Sequence, residues 1–287
     1  MGFPDKVVLV TGAGRGLGKA VSLDFLLKGW RVIASDLSLP DFGDKRSAEV
    51  SGIHPEMKTR FMLLEMDVTS DESVNRAFSA VRAENIILDL IINNAGADNY
   101  FPLSGTPVSE FRKIFEINCF GAYRVNQVFL PLVRKPGGRI IHIGSESLNL
   151  TMPFMPYPLS KKLLEGYAKA LRFELKFHGI EVVTIRSGAI NTDLLRTVSE
   201  LPESVFIMEN GNPLEKVFRV FSLNASKEIG KVISPEKAAE FIFLVSSIPR
   251  PKAVYRINNM LKLRIAAMLP YSLVEKIVYR RLTPGKK

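Results

Sequence analysis

The sequence predicts an α/β fold: one doubly wound parallel sheet with helices on both faces, continued by a basic, helical C-terminal appendage. Three observations carry this. Short apolar runs alternate along the chain with longer helix-like segments, the pattern of repeated βαβ units. Polar residues stand just where several of these runs end, the edge at which open parallel sheets bind ligands. The first run leads straight into Thr11-Gly12-Ala13-Gly14-Arg15-Gly16-Leu17-Gly18, and a helix-like segment follows at once. With 287 residues and 46% hydrophobic content, the chain can bury one substantial core. We expect a domain over residues 1–258 and an appendage over 259–287.

Lys6-Val7-Val8-Leu9-Val10 is apolar and β-branched, as expected of a strand buried on both faces. Gly12 permits the sharp turn after it. Gly16 lets backbone approach a ligand, and Gly18 lets the helix from Lys19 to Leu27 pack on the strand. The helix start offers free N–H groups and a positive dipole end to a pyrophosphate. Arg31 to Ser35 is the second strand, ending at Asp36, 20 residues beyond Gly16. A carboxylate there suits the adenosine ribose and repels a phosphate on it, which favours NAD over NADP. Arg15 argues for NADP, because a guanidinium in the loop could meet that phosphate.

Further on, Thr69-Ser70-Asp71-Glu72 supplies caps and an acidic first turn for a helix through about Arg82. Ile86 to Ile92 reads as the fourth strand, and Val108 to Leu132 as one long helical stretch carrying Asn118. Gly138 to Ser145 is the fifth strand. Twelve residues after Ser145, Tyr157-Pro158-Leu159-Ser160-Lys161 opens a helix that runs to Phe177. Residues four apart share a helix face, so Tyr157 and Lys161 should stand side by side. A free phenol titrates near ~10; a neighbouring ammonium favours its phenolate and lowers that value. Such a phenol could exchange a proton with a hydroxyl or carbonyl, while Ser145 donates a hydrogen bond to the same oxygen. Ile180 to Ile185 and Val254 to Ile257 are the remaining strands, and Ser234-Pro235 caps another helix.

These residues together resemble the short-chain dehydrogenase/reductase family. The resemblance rests on Thr11-Gly12-x-x-x-Gly16-x-Gly18, Asp67, Asn93-Asn94-Ala95-Gly96, Asn118, Ser145 and Tyr157-x-x-x-Lys161, in order across residues 6–192. It implies a Rossmann-type fold with Tyr157 as catalytic acid/base and Ser145 positioning the substrate oxygen. It implies that Lys161 binds the nicotinamide ribose and lowers the tyrosine pKa, and that Asn118 holds a relay water. Asp67 and Val68 would border the adenine; Asn94 and Gly96 would stabilise the central strand; Thr192 would contact the carboxamide. Two departures stand out. Ser187-Gly188 replaces the common Pro-Gly, with Gly188 still letting backbone pass the nicotinamide. Gly144-Ser145-Glu146-Ser147 replaces Ser-Ser, so Ser147 is a second candidate for the Ser145 role. The resemblance also implies a homo-oligomer, and a lid over about 191–233 that closes on the substrate. The lid's many large apolar residues, among them Leu194, Leu195, Leu201, Val205, Phe206, Ile207, Met208, Leu214, Phe218, Val220 and Phe221, suggest a lipophilic substrate or simply the packing of the lid.

Cys119 is the sole cysteine, so no intrachain disulfide forms, in keeping with a reducing, cytoplasmic setting. His54, His142 and His178 are scattered and read as structural, with no metal expected. No signal peptide and no spanning segment are expected. The tail from Pro251 holds nine Lys/Arg and one Glu, a net of +8 that leaves only +2 of the chain's +10 elsewhere. In it, Ser272-Leu273-Val274-Glu275 has capping-box form. Leu273, Val274, Ile277 and Val278 would form one face, with Glu275, Lys276, Tyr279 and Arg280 opposite. Two placements are open: on an anionic bilayer, or docked on protein. Nucleic acid is not expected as a partner, because no stacking platform accompanies the charge.

The expected function is NAD(P)-dependent interconversion of a lipophilic secondary alcohol and its ketone. An NADPH-dependent carbonyl or 3-oxoacyl-type reductase is the alternative enzyme. A dinucleotide-sensing scaffold with little turnover is the alternative from another class.

Overall fold

The computed structural model describes residues 6–38, 59–149, 152–195, 213–228, 231–259, 265–266 and 268–283. Seven strands form one sheet: β1 Val7–Thr11, β2 Arg31–Asp36, β3 Phe61–Glu65, β4 Leu90–Asn93, β5 Arg139–Ser145, β6 Glu181–Ser187 and β7 Val254–Ile257. Their order is β3-β2-β1-β4-β5-β6-β7, and every pair is parallel. Strand order reverses between β1 and β4, which opens a crevice at their carboxyl ends.

Alternation along each strand divides the core in two. Val8 and Val10 of β1 face α1 (Gly16–Leu27) and α7 (Pro235–Ser247), where Phe25, Trp30 and Ile242 are buried. Val7 and Leu9 face the other layer: α2 (Asp71–Ala83), α4 (Gly121–Phe129) and α5 (Pro156–Leu175), with Val74, Phe129 and Ala168 buried. Both expected helix caps form. Ser70 accepts from the Ser73 N–H at 3.2 Å, and Ser234 accepts from Lys237 N–H at 3.3 Å, with Pro235 behind it.

Three local readings need correction. The fourth strand is shorter than its apolar run. Leu88 exchanges backbone hydrogen bonds with Leu132 and Arg134 instead of with β1, so pairing starts only at Leu90. The stretch from Val108 to Leu132 is not one α-helix: α3 (Val108–Phe115) passes through a π-helical turn at Glu116–Phe120 before α4. The last helix, α8 (Tyr271–Leu282), starts directly after Pro270 with no side-chain cap, so Ser272 lies inside its first turn rather than at its N-cap. Proline's fixed φ sets the chain's entry into the helix.

The tail docks on its own subunit. Val278 and the buried Leu282 of α8 join Tyr100, Phe154, Phe218 and Phe221 in a third apolar cluster; Phe218 and Phe221 belong to α6 (Pro213–Glu228). The helix therefore divides its faces differently from the expected pattern. Val274 and Val278 turn partly inward, whereas Leu273 and Ile277 stay largely exposed. Among the expected lid residues, Leu201, Val205, Phe206, Ile207 and Met208 lie outside the described residues, as does His54.

One buried ion pair ties α5 to the sheet. Glu165 accepts two hydrogen bonds from Arg186 of β6, each at 2.6 Å, and a third contact from Lys169 at 2.7 Å. Burial alone would raise the Glu165 carboxyl. The bonds from Arg186 and Lys169 outweigh it and hold the group below the usual carboxylate range. Arg186→Met strips that carboxylate of its bidentate partner and should cost about 3 kcal/mol in urea unfolding. A depressed folded-state pKa stabilises above the unfolded value, 4.5, and the benefit is lost as pH falls through the folded value. The gap between wild type and variant should therefore shrink in acid; a pH-independent gap would contradict this account.

Candidate active site

The carboxyl ends of β1, β4, β5 and β6 open into a single cavity of about 1350 Å³. Cavities for one small ligand span roughly 300–1,000 Å³, so this one has room for two ligands side by side. Gly12, Arg15, Gly16, Leu17, Gly18, Asp36, Asp67, Val68, Asn94, Gly96, Ser145, Tyr157, Lys161, Gly188 and Thr192 all line it. Asn118 sits behind the wall, 1% exposed.

The first half of the cavity is built around the glycine turn. Gly12 has φ +64, and a Cβ on Gly18 would lie 2.0 Å from the Gly12 carbonyl oxygen, so α1 could not start there with any other residue. Asn94 fastens this turn to β4: its Nδ2 donates to the carbonyls of Thr11 at 3.0 Å and Gly12 at 2.9 Å. Thr11 Oγ1 in turn accepts from the N–H groups of Asn94 and Ala95. Asp36 leans over the turn, accepting from Gly14 N–H and from Leu37 N–H, both at 2.7 Å. Asp67 closes its own loop by accepting from Thr69 N–H and Oγ1. Arg15 points to solvent and pairs with Asp193 at 3.6 Å. A Cβ on Gly188 would lie 1.9 Å from the Asn258 carbonyl oxygen, which explains the glycine that survives where proline does not precede it. Narrow backbone, free N–H groups at a helix start and a carboxylate at the end of β2 fit a dinucleotide.

The second half gathers the titratable side chains. Tyr157 stands in the first turn of α5, with its phenol within the electrostatic reach of Ser145 at the end of β5. Ser147 stands behind, its Oγ 2.8 Å from Ser145 Oγ; of the two serines, Ser145 is the one that meets the phenol. Lys161 lies one turn along α5, with Nζ 5.5 Å from the Tyr157 ring centre and donating to the Ile143 carbonyl at 2.9 Å. The π-helical turn aims Asn118 inward, as such turns often do near functional sites. Asn118 Oδ1 accepts from Ala97 N–H at 2.8 Å; Nδ2 donates to Ala97 O at 2.8 Å and to Ser160 Oγ at 2.9 Å. Both N–H bonds are thus used within the protein, so a relay water would have to meet Oδ1 or the main-chain carbonyl.

Burial governs the proton affinities here. It pushes Lys161 down to about 8, opposed by the charges of Asp98 and Cys119. It raises the Tyr157 phenol above its ordinary value. The expected acidification of the phenol by its lysine neighbour is not found: burial and Asp98 raise the phenol, and only the Ser145 hydroxyl opposes them.

Two groups escaped the sequence reading. Asp98 and Tyr100, just beyond Gly96, line the same cavity; the visible signal was a carboxylate two residues past the Asn-Asn-Ala-Gly motif. The tail is the other, since Leu269, Val274, Ile277, Val278, Arg281 and Leu282 wall the cavity on its second side.

The short chain dehydrogenase family model matches residues 6–202. The chain is a short-chain dehydrogenase/reductase. It is 34% identical over 198 residues to estradiol 17-beta-dehydrogenase 2 of Rattus norvegicus, which covers 66% of this chain and 49% of that protein. The chain thus spans about half the length of that relative. It is 29% identical over 296 residues to the NADPH-dependent 3-dehydrocapnine reductase of Ornithobacterium rhinotracheale, covering 96% of this chain and 97% of the other. Among solved structures, a short-chain dehydrogenase from Streptomyces avermitilis superposes with a TM-score of 0.73 at 22% identity, over 97% of both chains; at that identity the likeness speaks for the fold. Family membership makes this short-chain dehydrogenase/reductase an oxidoreductase of alcohols and ketones that works with NAD or NADP. No helix among its described residues is long and apolar enough to cross a membrane.

Proposed function

We propose that this enzyme interconverts a lipophilic secondary alcohol and its ketone, with Tyr157 handling the proton. The observation that carries the reading is the convergence of Tyr157, Ser145 and Lys161 on one cavity whose other wall is apolar, formed by residues such as Met152, Met155, Leu195, Phe221 and Val278. A nicotinamide held by the glycine turn would, when bound, supply or accept the hydride at the carbinol carbon. Tyr157 donates its proton to the substrate oxygen in reduction and takes it back in oxidation. Ser145 donates a hydrogen bond to that oxygen and stabilises the charge that develops on it. Lys161 would hold the nicotinamide ribose, and Asn118 holds the loop at Ala97 and the start of α5 in register. A phenol kept neutral by burial is the form that reduction needs. A positive ring nearby would favour the phenolate that oxidation needs. The intact set of four speaks against a sensing scaffold without turnover.

Tyr157→Phe should lower kcat/KM by about 10²–10⁴-fold and leave dinucleotide affinity within about twofold. The check is a panel of steroids, retinoids, acyl ketones and sugars, with titration of the cofactor by fluorescence. Substantial turnover by the variant would mean that another group moves the proton.

NAD is the favoured cofactor. The Asp36 carboxylate keeps lone pairs beyond those used by Gly14 and Leu37, and its charge opposes a ribose phosphate. The printed NADPH dependence of the Ornithobacterium relative supports the second reading, an NADPH-linked carbonyl or 3-oxoacyl-type reductase. Asp36→Ala should shift the NADH-to-NADPH affinity ratio toward NADPH by about tenfold or more. A wild type that already prefers NADPH would overturn the assignment.

The tail also offers a surface to lipid. Outside the cavity, α8 exposes Tyr271, Leu273 and Tyr279 beside Lys276 and Arg280, a combination that suits the headgroup zone of an anionic bilayer. Each basic residue near such a surface contributes about 1 kcal/mol. Lys276→Glu with Arg280→Glu should therefore weaken co-sedimentation with phosphatidylserine vesicles at least tenfold and leave catalysis of a water-dispersed substrate unchanged. Equal pelleting of variant and wild type would remove the membrane from the reading. Exposed Phe120, Tyr123 and Leu163 on or beside α4 and α5 support a homo-oligomer built through those helices.

A further inference from the structure

Asp98 is an acidic side chain that lines the cavity close to the proton machinery; Glu146, which lines it too, is paired with Arg256 at 3.3 Å. Asp98 follows β4 in the loop that Asn118 clamps through Ala97. Its Oδ1 accepts from Asn99 N–H at 2.8 Å, and its Oδ2 accepts from the Tyr100 hydroxyl at 3.1 Å. Tyr100 is itself buried among Phe154, Phe218 and Phe221, so the carboxyl is held in place by a rigid aromatic rather than by solvent. A carboxylate offers about four acceptor positions, and two remain after these bonds. Asp98 lies within electrostatic reach of both Tyr157 and Lys161. Lys161 spends one N–H bond on Ile143 O. Such a group is costly where it stands, and the proton transfer assigned to Tyr157 makes no use of it.

We propose that Asp98, oriented by Tyr100, is a specificity subsite for a hydrogen-bond donor, an ammonium or a hydroxyl, that the lipophilic substrate carries near its reacting carbon. This rests on the oxidoreductase reading above and narrows its substrate class. Burial pushes the Asp98 carboxyl up to about 7, opposed by its bonds to Tyr100 and Asn99 and by the charge of Lys161. An arriving donor would favour its anion, and an arriving carboxylate or phosphate would meet repulsion in a poorly solvated place. The subsite thus selects by what it attracts and by what it rejects.

The test uses four probes of equal chain length: a medium-chain secondary alcohol, its vicinal diol, its vicinal amino alcohol and the matching β-hydroxy acid. Binding to the enzyme–dinucleotide complex is measured by calorimetry, and kcat/KM by absorbance. A hydrogen bond to a charged group is worth about 1.5–3 kcal/mol, so the amino alcohol, the diol or both should bind about 10- to 150-fold tighter than the plain alcohol, with the acid weakest. The amino and hydroxyl arms show which donor is preferred. Asp98→Asn should collapse that ratio toward one while dinucleotide affinity, the index of folding, holds. Four probes bound alike by wild type, or an unchanged ratio in Asp98→Asn, would overturn the subsite. The wild-type ratios decide the matter even if the variant fails to fold. A preserved binding preference without turnover of any probe would sink the oxidoreductase reading and leave the subsite standing.

Discussion

The ammonium of Lys161, 3% exposed and hydrogen-bonded to the Ile143 carbonyl, is the constraint around which the site is arranged. A buried charge is tolerated only if its surroundings are polar and fixed. Four elements meet that demand together. β5 supplies the carbonyl, α5 carries the lysine one turn from Tyr157, the loop after β4 brings Asp98, and the π-helical turn brings Asn118 and Cys119. The proton affinities of Tyr157, Asp98 and Lys161 are consequently properties of the cluster and not of any single side chain.

A second constraint, steric this time, holds the cofactor half. The Gly12 carbonyl occupies the place where a side chain on Gly18 would go, and Asn94 spans from β4 to the same turn. The turn, the first helix and the central strand are therefore one rigid unit. That rigidity makes the N–H groups of the turn available to a ligand without rearrangement, the condition under which electrostatic recognition is most effective.

The tail changes what the cavity is. With Val278 and Leu282 clustered with Phe154 and Phe218, α8 becomes a wall of the cavity and brings Arg281 to it, while its outer face keeps Lys276 and Arg280. The proposed substrate side and the proposed lipid-facing side thus lie on opposite faces of one helix. Its inner side is set by apolar packing and its outer side by charge, so each can be altered without the other.

Much of this was legible in the residues alone. The glycine turn, the Asp36 position and the Tyr157–Lys161 spacing follow from local rules of strand, turn and helix, because each depends on residues close in sequence. So does the alternation of strands with helices. Three things depended on contacts between distant segments. The π-helical turn arises within an apolar run that has ordinary helical periodicity, so no pattern announces it. The docking of α8 depends on which of two similar apolar faces meets α6, and Leu273 and Ile277 were as apolar as Val274 and Val278. The balance of proton affinities depends on burial, which brings Asp98 beside a lysine 63 residues away and desolvates both. Local sequence determined the glycine turn and the Tyr157–Lys161 pair; packing between remote segments decided that Asp98, Tyr100 and the tail join them, how strongly the groups hold their protons and what encloses them, because desolvation is a property of the assembled cavity and not of any stretch of chain.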